Sequence, residues 1–259
     1  MTEPAAWHIL GVSVPGTSHL ARKIPCQDAH AYKLTAGRVL LLSIADGAGS
    51  AERSHEGAQI VVKQAVSSLE SALQFETPDS ESGWHALITQ AFSESLQSVV
   101  QLATSNDVPL SAFATTLACA VVSDNWLVVG QIGDVAVVAE NMDRNLSLTV
   151  PPQRGEYANE SYFLTMPDGL NFLDIYITQQ FVHSLVLTTD GLLRLAFKLP
   201  GYEPSIQFFQ PLLTFAASMD SPEQAQAELD AFLNSERVNA RTDDDKTLVL
   251  ATRNPTQLM

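Results

Sequence analysis

The order of strand and helix patterns in this chain predicts an α+β fold. Runs typical of β-strands lie near both ends, two amphipathic helical segments follow the first strands, and two more precede the last strand. Helices in these positions would cover two sheets rather than one, because each sheet needs its own apolar cover. With 259 residues and no linker-like stretch between its motifs, the chain is expected to form a single domain over residues 1–259.

The first half of the chain contains two predicted strands and two predicted helices. Residues 7–14 alternate loosely, and residues 38–45 form the continuous apolar run of a buried strand, so we expect both in one central sheet. Residues 54–73 and 84–103 place apolar side chains at helical spacing, which predicts two long amphipathic helices.

The second half of the chain is predicted to be richer in strands. Residues 115–122, 126–132 and 135–140 are separated by short turn signals, which predicts a β-meander. Residues 146–171 carry Pro and Gly among polar residues and are expected to form a mobile surface flap. The last predicted elements are strands at 172–178 and 185–189, helices at 205–217 and 222–234, and a closing strand at 247–252.

Composition and charge exclude several classes of protein. The chain has 29 acidic and 14 basic residues, so its formal net charge of −15 should repel nucleic acid and acidic membranes. The N-terminal residues do not resemble a signal peptide, and no apolar run approaches the roughly 18 residues of a membrane span. We therefore expect a cytoplasmic protein with neither a nucleic-acid partner nor a membrane partner.

Three acidic motifs carry the functional prediction. They are Asp46 with Gly47, Asp190 with Gly191, and the consecutive aspartates 243–245, each next to an apolar strand. Carboxylates gathered at strand ends repel one another and lose hydration, so they must be protonated or hold cations. An oxygen-rich set without a His or Cys cluster favours Mg²⁺ or Mn²⁺ over Zn²⁺. The sequence therefore predicts a divalent-metal hydrolase.

The motifs resemble those of the PP2C family of metal-dependent protein phosphatases, in a compact bacterial form. The resemblance extends from about residue 11 to residue 251 and depends on the joint order of its pieces. These pieces are Gly11-Val12-Ser13 with Gln27-Asp28, Asp46-Gly47, Ala114-Thr115-Thr116-Leu117, Gly130-Gln131-Ile132-Gly133-Asp134, Thr189-Asp190-Gly191 and Asp244-Asp245-Lys246-Thr247. The resemblance implies a four-layer αββα sandwich of two mainly antiparallel sheets flanked by helix pairs.

The resemblance also implies a set of metal ligands that would act as the catalytic centre. Asp46 matches the carboxylate that bridges two cations, and the Gly47 carbonyl matches a further ligand. Asp190 and Asp244 match the remaining ligands of the first cation. Asp243 is the alternative to Asp244, because three consecutive aspartates leave the register open.

Two further matches concern the second and third metal positions. Asp134 with Asp190 matches a third, weaker position in bacterial relatives. Gln27 and Asp28 stand where many members have Glu followed by Asp, so a neutral amide oxygen replaces a charged ligand and should weaken the second cation. Ala48 stands where eukaryotic members have a His proposed as general acid, so another group must protonate the leaving oxygen.

Recognition of the phosphate is predicted from basic residues near the first acidic pair. Lys23 occupies a position where the family often has Arg, and lysine offers a point charge without the bidentate fork of arginine. His19 is a second candidate, either as a phosphate ligand or as an orienting residue.

The activity that the resemblance implies is hydrolysis of phosphoserine and phosphothreonine by a metal-activated water, without a covalent phosphoenzyme. The partners would be a phosphorylated protein substrate and a cognate kinase system. Gln27 and Ala48 motivate one alternative, a phosphatase-like binding module with little or no catalysis. A phosphomonoesterase for small metabolites is the other alternative, since it would share the metal site.

Overall fold

The computed structural model describes residues 7–36, 38–153 and 161–253 of the chain. This part contains twelve strands: β1 (Trp7–Val14), β2 (Asp28–Leu34), β3 (Leu40–Asp46), β4 (Leu117–Val122), β5 (Leu127–Ile132), β6 (Ala136–Glu140), β7 (Leu146–Leu148), β8 (Asp174–Thr178), β9 (Ser184–Thr188), β10 (Phe197–Lys198), β11 (Glu203–Pro204) and β12 (Lys246–Arg253). Its seven α-helices are α1 (Thr17–Arg22), α2 (Ser54–Leu73), α3 (Glu81–Asn106), α4 (Leu193–Ala196), α5 (Ile206–Ala217), α6 (Pro222–Leu233) and α7 (Glu236–Asn239).

Ten of these strands form two five-stranded sheets. Sheet I has the order β1-β12-β9-β6-β7, and sheet II has the order β2-β3-β4-β5-β8. Every neighbouring pair in both sheets is antiparallel. The short strands β10 and β11 pair separately with each other.

Three apolar clusters separate the structure into four layers. The inner cluster lies between the sheets and joins Leu42 of β3 to Leu187 of β9. A second cluster packs α2 and α3 onto the outer face of sheet II and includes Leu41 of β3 and Phe92 of α3. A third packs α4 to α7 onto sheet I and includes Phe209. The predicted four-layer αββα sandwich is therefore confirmed.

Strand β3 shows why the sequence carries a continuous apolar run rather than an alternating one. Side chains alternate across a strand, so Leu40 and Leu42 contribute to the cluster between the sheets while Leu41 contributes to the cluster under the helices. Both faces are covered, and every residue from Leu40 to Ala45 is buried.

Helices α2 and α3 were predicted from their periodicity, and both are present. The predicted range 54–73 coincides with α2, and the range 84–103 lies within α3. Close packing of α3 on the sheet depends on Gly130 of β5, because a Cβ there would lie 2.5 Å from Ile88 Cγ2. The sequence did not predict α1 or β2, which lie between the first two motifs.

Two expectations about strand order were wrong. Strands β1 and β3 do not share a central sheet, because β1 belongs to sheet I and β3 to sheet II. The meander is limited to β4 and β5, which form a hairpin, whereas β6 joins the other sheet. The turn at Gly133 therefore connects a strand of sheet II to a strand of sheet I. Gly133 has a φ of +107°, a backbone conformation that favours glycine.

The predicted flap at residues 146–171 is partly described. Residues 154–160 lie outside the described residues. On either side of them the chain is anchored, since Leu146 to Leu148 pair with β6 and Leu164 is fully buried. Gln153 also accepts a hydrogen bond from the Gly133 N–H at 2.8 Å. In the described parts of the chain, no helix combines the length and the hydropathy needed to cross a membrane.

Candidate active site

The two sheets share one end, and the predicted site residues gather there. At this end β1, β3, β5 and β9 finish, while β2, β4, β6 and β12 begin. A cavity of about 150 Å³ opens at this position. Its lining consists of His19, Gln27, Asp46, Gly47, Ala48, Gly49, Thr116, Asp134, Ser161, Phe163, Asp190, Asp244 and Asp245.

Asp46 is fixed by the chain segment that precedes β4. The Asp46 N–H donates to Thr116 Oγ1 at 2.8 Å, and the Asp46 carbonyl accepts from the Thr116 N–H at 2.8 Å. The next residue must be glycine, because a Cβ on Gly47 would lie 2.7 Å from the Gln27 carbonyl oxygen. These contacts hold the end of β3 against the segment at Thr116 and the segment at Gln27. The Asp46 side chain then lies in the cavity lining.

Asp190 and the aspartates 243–245 meet through two close backbone approaches. A Cβ on Gly191 would lie 2.0 Å from the Asp245 carbonyl oxygen, and one on Gly16 would lie 2.2 Å from the Asp243 carbonyl oxygen. The backbone of the loop before β12 therefore packs directly against the backbone of both glycines. Any larger residue at either glycine would displace Asp190 or Asp244 from the cavity.

Asp245 is the hydrogen-bonding centre of this end of the molecule. Its Oδ1 accepts from the Gly16 N–H at 2.6 Å and contacts His19 Nδ1 at 2.9 Å, while its Oδ2 accepts from the Gln27 N–H at 2.5 Å. The carboxylate is buried and joins the start of α1 and the start of β2 to the loop before β12. Sequence reasoning assigned Asp245 no role, because a buried acceptor of backbone N–H groups leaves no pattern in the sequence.

Asp28 and Asp46 face each other across paired strands. They are direct partners in the register of β2 and β3. Burial raises the pKa of Asp28 well above its ordinary range, the hydrogen bond from Thr189 lowers it, and the charges of Asp245 and Asp190 raise it further. The Thr189 hydroxyl donates to Asp28 Oδ2 at 2.6 Å. Asp28 therefore lies behind the cavity, next to Asp46, rather than in its lining.

Asp46 lies among several like charges. Burial raises the pKa of Asp46 well above its ordinary range. Three nearby carboxylates raise the pKa further by repulsion: Asp28, Asp190 and Asp134. A group of this kind binds a proton or a cation more readily than an isolated carboxylate does.

Asp134 enters the cavity from the crossover between the two sheets. Its Oδ2 accepts a hydrogen bond from the Ser161 hydroxyl at 2.5 Å. Ser161 and Phe163 bring the segment after the undescribed residues 154–160 into the cavity lining. Neither residue was singled out from the sequence, since a loop position has no periodicity that reveals it.

Gln27 presents a buried oxygen without a hydrogen-bonding partner. Its Nε2 is within 3.5 Å of the Ala51 carbonyl oxygen, whereas its Oε1 is buried and accepts no hydrogen bond from the described residues. A buried polar atom without a partner is costly, so an oxygen of this kind in a cavity lining is suited to contact a water or a cation. This observation supports the predicted role of Gln27 as a metal ligand.

The remaining predicted residues differ in where the structure places them. Asp244 lines the cavity and Asp243 does not, which favours Asp244 between the two alternatives. His19 is buried and also lines the cavity. Lys23 is exposed, ends α1 with a φ of 58°, and does not line the cavity.

The acidic residues do not form a closed metal cage on their own. Within the described ranges, no group of three or more His, Cys, Asp or Glu side chains has the geometry of a preformed ion site. The oxygen donors of the cavity include an amide and backbone carbonyls beside the carboxylates, a donor set that suits Mg²⁺ and Mn²⁺.

Comparisons with known proteins identify the family of this chain. The family model described as Protein phosphatase 2C matches residues 15–234. Serine/threonine-protein phosphatase 3 of Escherichia coli (strain K12) is 32% identical over 253 residues, which covers 95% of this chain and 98% of that protein. This chain therefore belongs to the protein phosphatase 2C family. It is a phosphoprotein phosphatase of the serine/threonine class, as its motifs predicted.

Solved structures share the fold. Serine/threonine phosphatase Stp1 from Staphylococcus aureus superimposes with a TM-score of 0.60 at 17% identity, covering 97% of each chain. PppA from Pseudomonas aeruginosa, described as a key regulatory component of T6SS, gives a TM-score of 0.59 at 16% identity and covers 96% of this chain and 99% of its own. At these identities the likeness concerns the fold alone.

The hydrogen bonds of Asp245 lead to a prediction about stability. Asp245→Asn keeps one acceptor oxygen and replaces the other with a donor, so a buried N–H loses its partner. With Mg²⁺ present, we expect urea denaturation to show a loss of about 1–3 kcal/mol in the free energy of unfolding. Asp243→Asn, on an exposed side chain, is the control and should change it by less than about 0.5 kcal/mol. Unchanged or increased stability in Asp245→Asn would mean that repulsion from Asp28 outweighs these hydrogen bonds.

Proposed function

We propose that this protein removes phosphate from phosphoserine and phosphothreonine side chains at the carboxylate-lined cavity, with Mg²⁺ or Mn²⁺ as cofactor. The main support is that Asp46, Asp134, Asp190 and Asp244 line one cavity. The elevated pKa of Asp46 also supports a cation between these groups, because a cation would relieve the repulsion that raises it.

The proposed ligands follow from the lining of the cavity. Asp46, the Gly47 carbonyl, Asp190 and Asp244 would hold the first cation, and Asp46 with Gln27 would hold the second. Asp134 together with Asp190 would hold a third, weaker cation. Asp28 is not part of the lining, and we propose that it positions Asp46. It pairs with Asp46 in the sheet register and accepts a hydrogen bond from Thr189.

Cations held at this site would supply a water molecule of lowered pKa as nucleophile and would neutralise the phosphoryl oxygens. The protein itself positions the substrate and excludes bulk water. The cavity of about 150 Å³ is smaller than the roughly 300–1,000 Å³ of typical ligand pockets, so a phosphoryl group and its nearest waters would take up much of it. We expect the rest of a substrate to lie outside the cavity, an arrangement that a phosphorylated side chain on a protein surface would allow.

His19 is the proposed contact for a phosphoryl oxygen or for the leaving oxygen. Its Nδ1 is engaged by Asp245 Oδ1, so its Nε2 is the ring nitrogen that remains for a ligand. Ala48 contributes no titratable group to the lining, and His19 is the residue there that can carry a proton at an oriented nitrogen. Lys23, which lies outside the lining, would act at most on the approaching substrate through its charge.

Three further predictions complete the proposed function. Residues 1–259 form one domain, a proposal supported by the two sheets and the inner cluster that they share. The chain acts in the cytoplasm, and a cognate kinase produces its phosphorylated substrate. None of these three proposals affects the chemistry at the cavity.

The activity itself is tested with a phosphothreonine peptide. After chelation, turnover should be absent, and titration with Mn²⁺ or Mg²⁺ should restore it in the parent protein. Asp46→Asn should lower the metal-restored turnover by about 100-fold or more, because even changes beside a ligand cost 10- to 100-fold. Asp143→Asn, at an exposed site distant from the cavity lining, is the matched control. Equal turnover in parent and Asp46→Asn would contradict the proposal, and metal binding without any hydrolysis would favour a binding module.

The free oxygen of Gln27 leads to a separate prediction about metal affinity. Gln27→Glu places a charged carboxylate where the neutral amide now lies, so we expect calorimetric titration to show Mn²⁺ binding at the weaker site about tenfold tighter. Gln74→Glu adds the same charge at an exposed site after α2 and should leave the titration unchanged. The same affinity in Gln27→Glu and the parent would exclude Gln27 as a ligand.

A further inference from the structure

A second cavity lies on the helical layer that covers sheet I. We call it the arginine groove; its volume is about 430 Å³, and it lies between α4, α5 and the segment from α6 to Arg241. Its apolar floor includes Leu195, Phe208 and Phe232, and Arg194, Arg237 and Arg241 stand along its rim. Its volume falls within the range of about 300–1,000 Å³ that is typical of ligand pockets.

The three arginines form an unusual concentration of positive charge. The chain has only 14 basic residues and a net charge of −15, yet three of those 14 stand around this groove. All three are exposed. In the described residues none of their side chains takes part in a hydrogen bond or an ion pair. Their guanidinium groups are therefore available to an external carboxylate, which arginine binds in bidentate geometry.

The floor of the groove offers an aromatic surface. The rings of Phe208 and Phe232 lie 6.4 Å apart at an interplanar angle of 51°. Both side chains and that of Leu195 are only half-buried, so apolar surface remains open to an incoming side chain. A peptide with one apolar or aromatic anchor would cover this surface, and acidic residues beside the anchor would face the arginines.

The groove is connected to the catalytic cavity by short pieces of chain. Arg194 follows Asp190 by four residues, and Arg241 precedes Asp244 by three. At 3.8 Å between successive Cα atoms, these separations are at most about 15 Å and about 11 Å. An extended peptide of about four to six residues is long enough to cover such a separation.

We propose that the arginine groove docks an acidic segment with an apolar anchor, located a few residues from the phosphorylated side chain of the protein substrate. This inference rests on the proposed phosphatase function and names part of its substrate specificity. It differs from the expectation set by the overall charge, since an acidic surface by itself would attract basic sequences. The local charge of the groove decides which flanking sequence is favoured.

The test compares two phosphothreonine peptides that differ only in the flanking segment. One carries Glu, Asp and Phe at the docking distance, and the other carries Ser and Gly at those positions. We expect the parent protein to prefer the acidic peptide by about tenfold in kcat/KM, mainly through KM. Arg194→Gln/Arg237→Gln should remove most of this preference. Arg241 is left in place because it lies three residues from Asp244.

The matched control removes two positive charges elsewhere. Lys33→Gln/Lys63→Gln lies on β2 and α2, on the side of the molecule covered by the other helices, and should keep the preference. Raising the salt concentration should reduce the preference in the parent, because exposed ion pairs are screened. Unfolding curves of both double variants confirm that they fold.

The outcomes separate docking from catalysis. Equal preference in parent and Arg194→Gln/Arg237→Gln, with hydrolysis intact, would overturn docking and leave the phosphatase function standing. If no peptide is hydrolysed with cations present, the proposed catalysis fails, and docking is measured directly by fluorescence anisotropy of the labelled, unphosphorylated acidic peptide. Binding that the double variant loses would support the groove, and equal binding by both proteins would exclude it. Dimerisation abolished by the double variant would assign the groove to a second copy and overturn the proposal.

Discussion

Crowding of carboxylates at one end of the two sheets is the constraint on which this structure depends. The register of β2 and β3 sets Asp28 opposite Asp46, and the ends of β5 and β9 add Asp134 and Asp190. Buried charges without partners cost several kcal/mol each. The fold offsets this cost for Asp28 through the Thr189 hydroxyl, but repulsion at Asp46 remains. The proposed cation site depends on this remaining negative charge.

The scaffold around this charge is held by hydrogen bonds and close backbone contacts. Asp245 accepts from two backbone N–H groups and contacts His19, and so joins the loop before β12 to the start of α1 and the start of β2, which are distant from it in sequence. Gly16 and Gly191 allow the loop before β12 to pass between them without side-chain clashes. Carboxylates on strand ends that are fixed in this way would need little rearrangement to bind cations, as the proposed catalytic centre requires. Positive charge is placed outside the cavity, in the arginine groove.

The sequence predicted those features that depend on local periodicity or on short motifs. The 3.6-residue repeat of apolar side chains identified α2, and the continuous apolar run identified β3, because each pattern reflects burial of the element that carries it. The acidic motifs located Asp46, Asp190 and the aspartates 243–245, and the family resemblance added Asp134 and favoured Asp244; Asp46, Asp134, Asp190 and Asp244 line one cavity. Gln27 joined this group through its position beside Asp28.

Features that depend on contacts between distant segments could not be predicted. A short turn at Gly133 looks the same whether the next strand pairs in the same sheet or crosses to another, so β6 was misplaced. Asp245 could not be separated from Asp243 and Asp244, since its role comes from N–H groups more than 200 residues away in sequence. The arginines of the groove are isolated in the sequence and meet only after α4 to α7 have packed.

The most direct measurement is thermal unfolding of the chelated parent and of Asp46→Asn across the pH range of about 4 to 8, repeated with excess Mg²⁺. Because the folded-state pKa of Asp46 is raised, a protonated Asp46 stabilises the fold below the ordinary carboxyl pKa of about 4, and this contribution is lost as the pH rises through the folded-state value. Without metal, Asp46→Asn should therefore become more stable than the parent as pH rises, by about 2–4 °C in Tm for each kcal/mol of repulsion removed. Mg²⁺ should then stabilise the parent more than the variant. Equal unfolding temperatures throughout, with equal responses to Mg²⁺, would contradict a cation site built on repelling carboxylates.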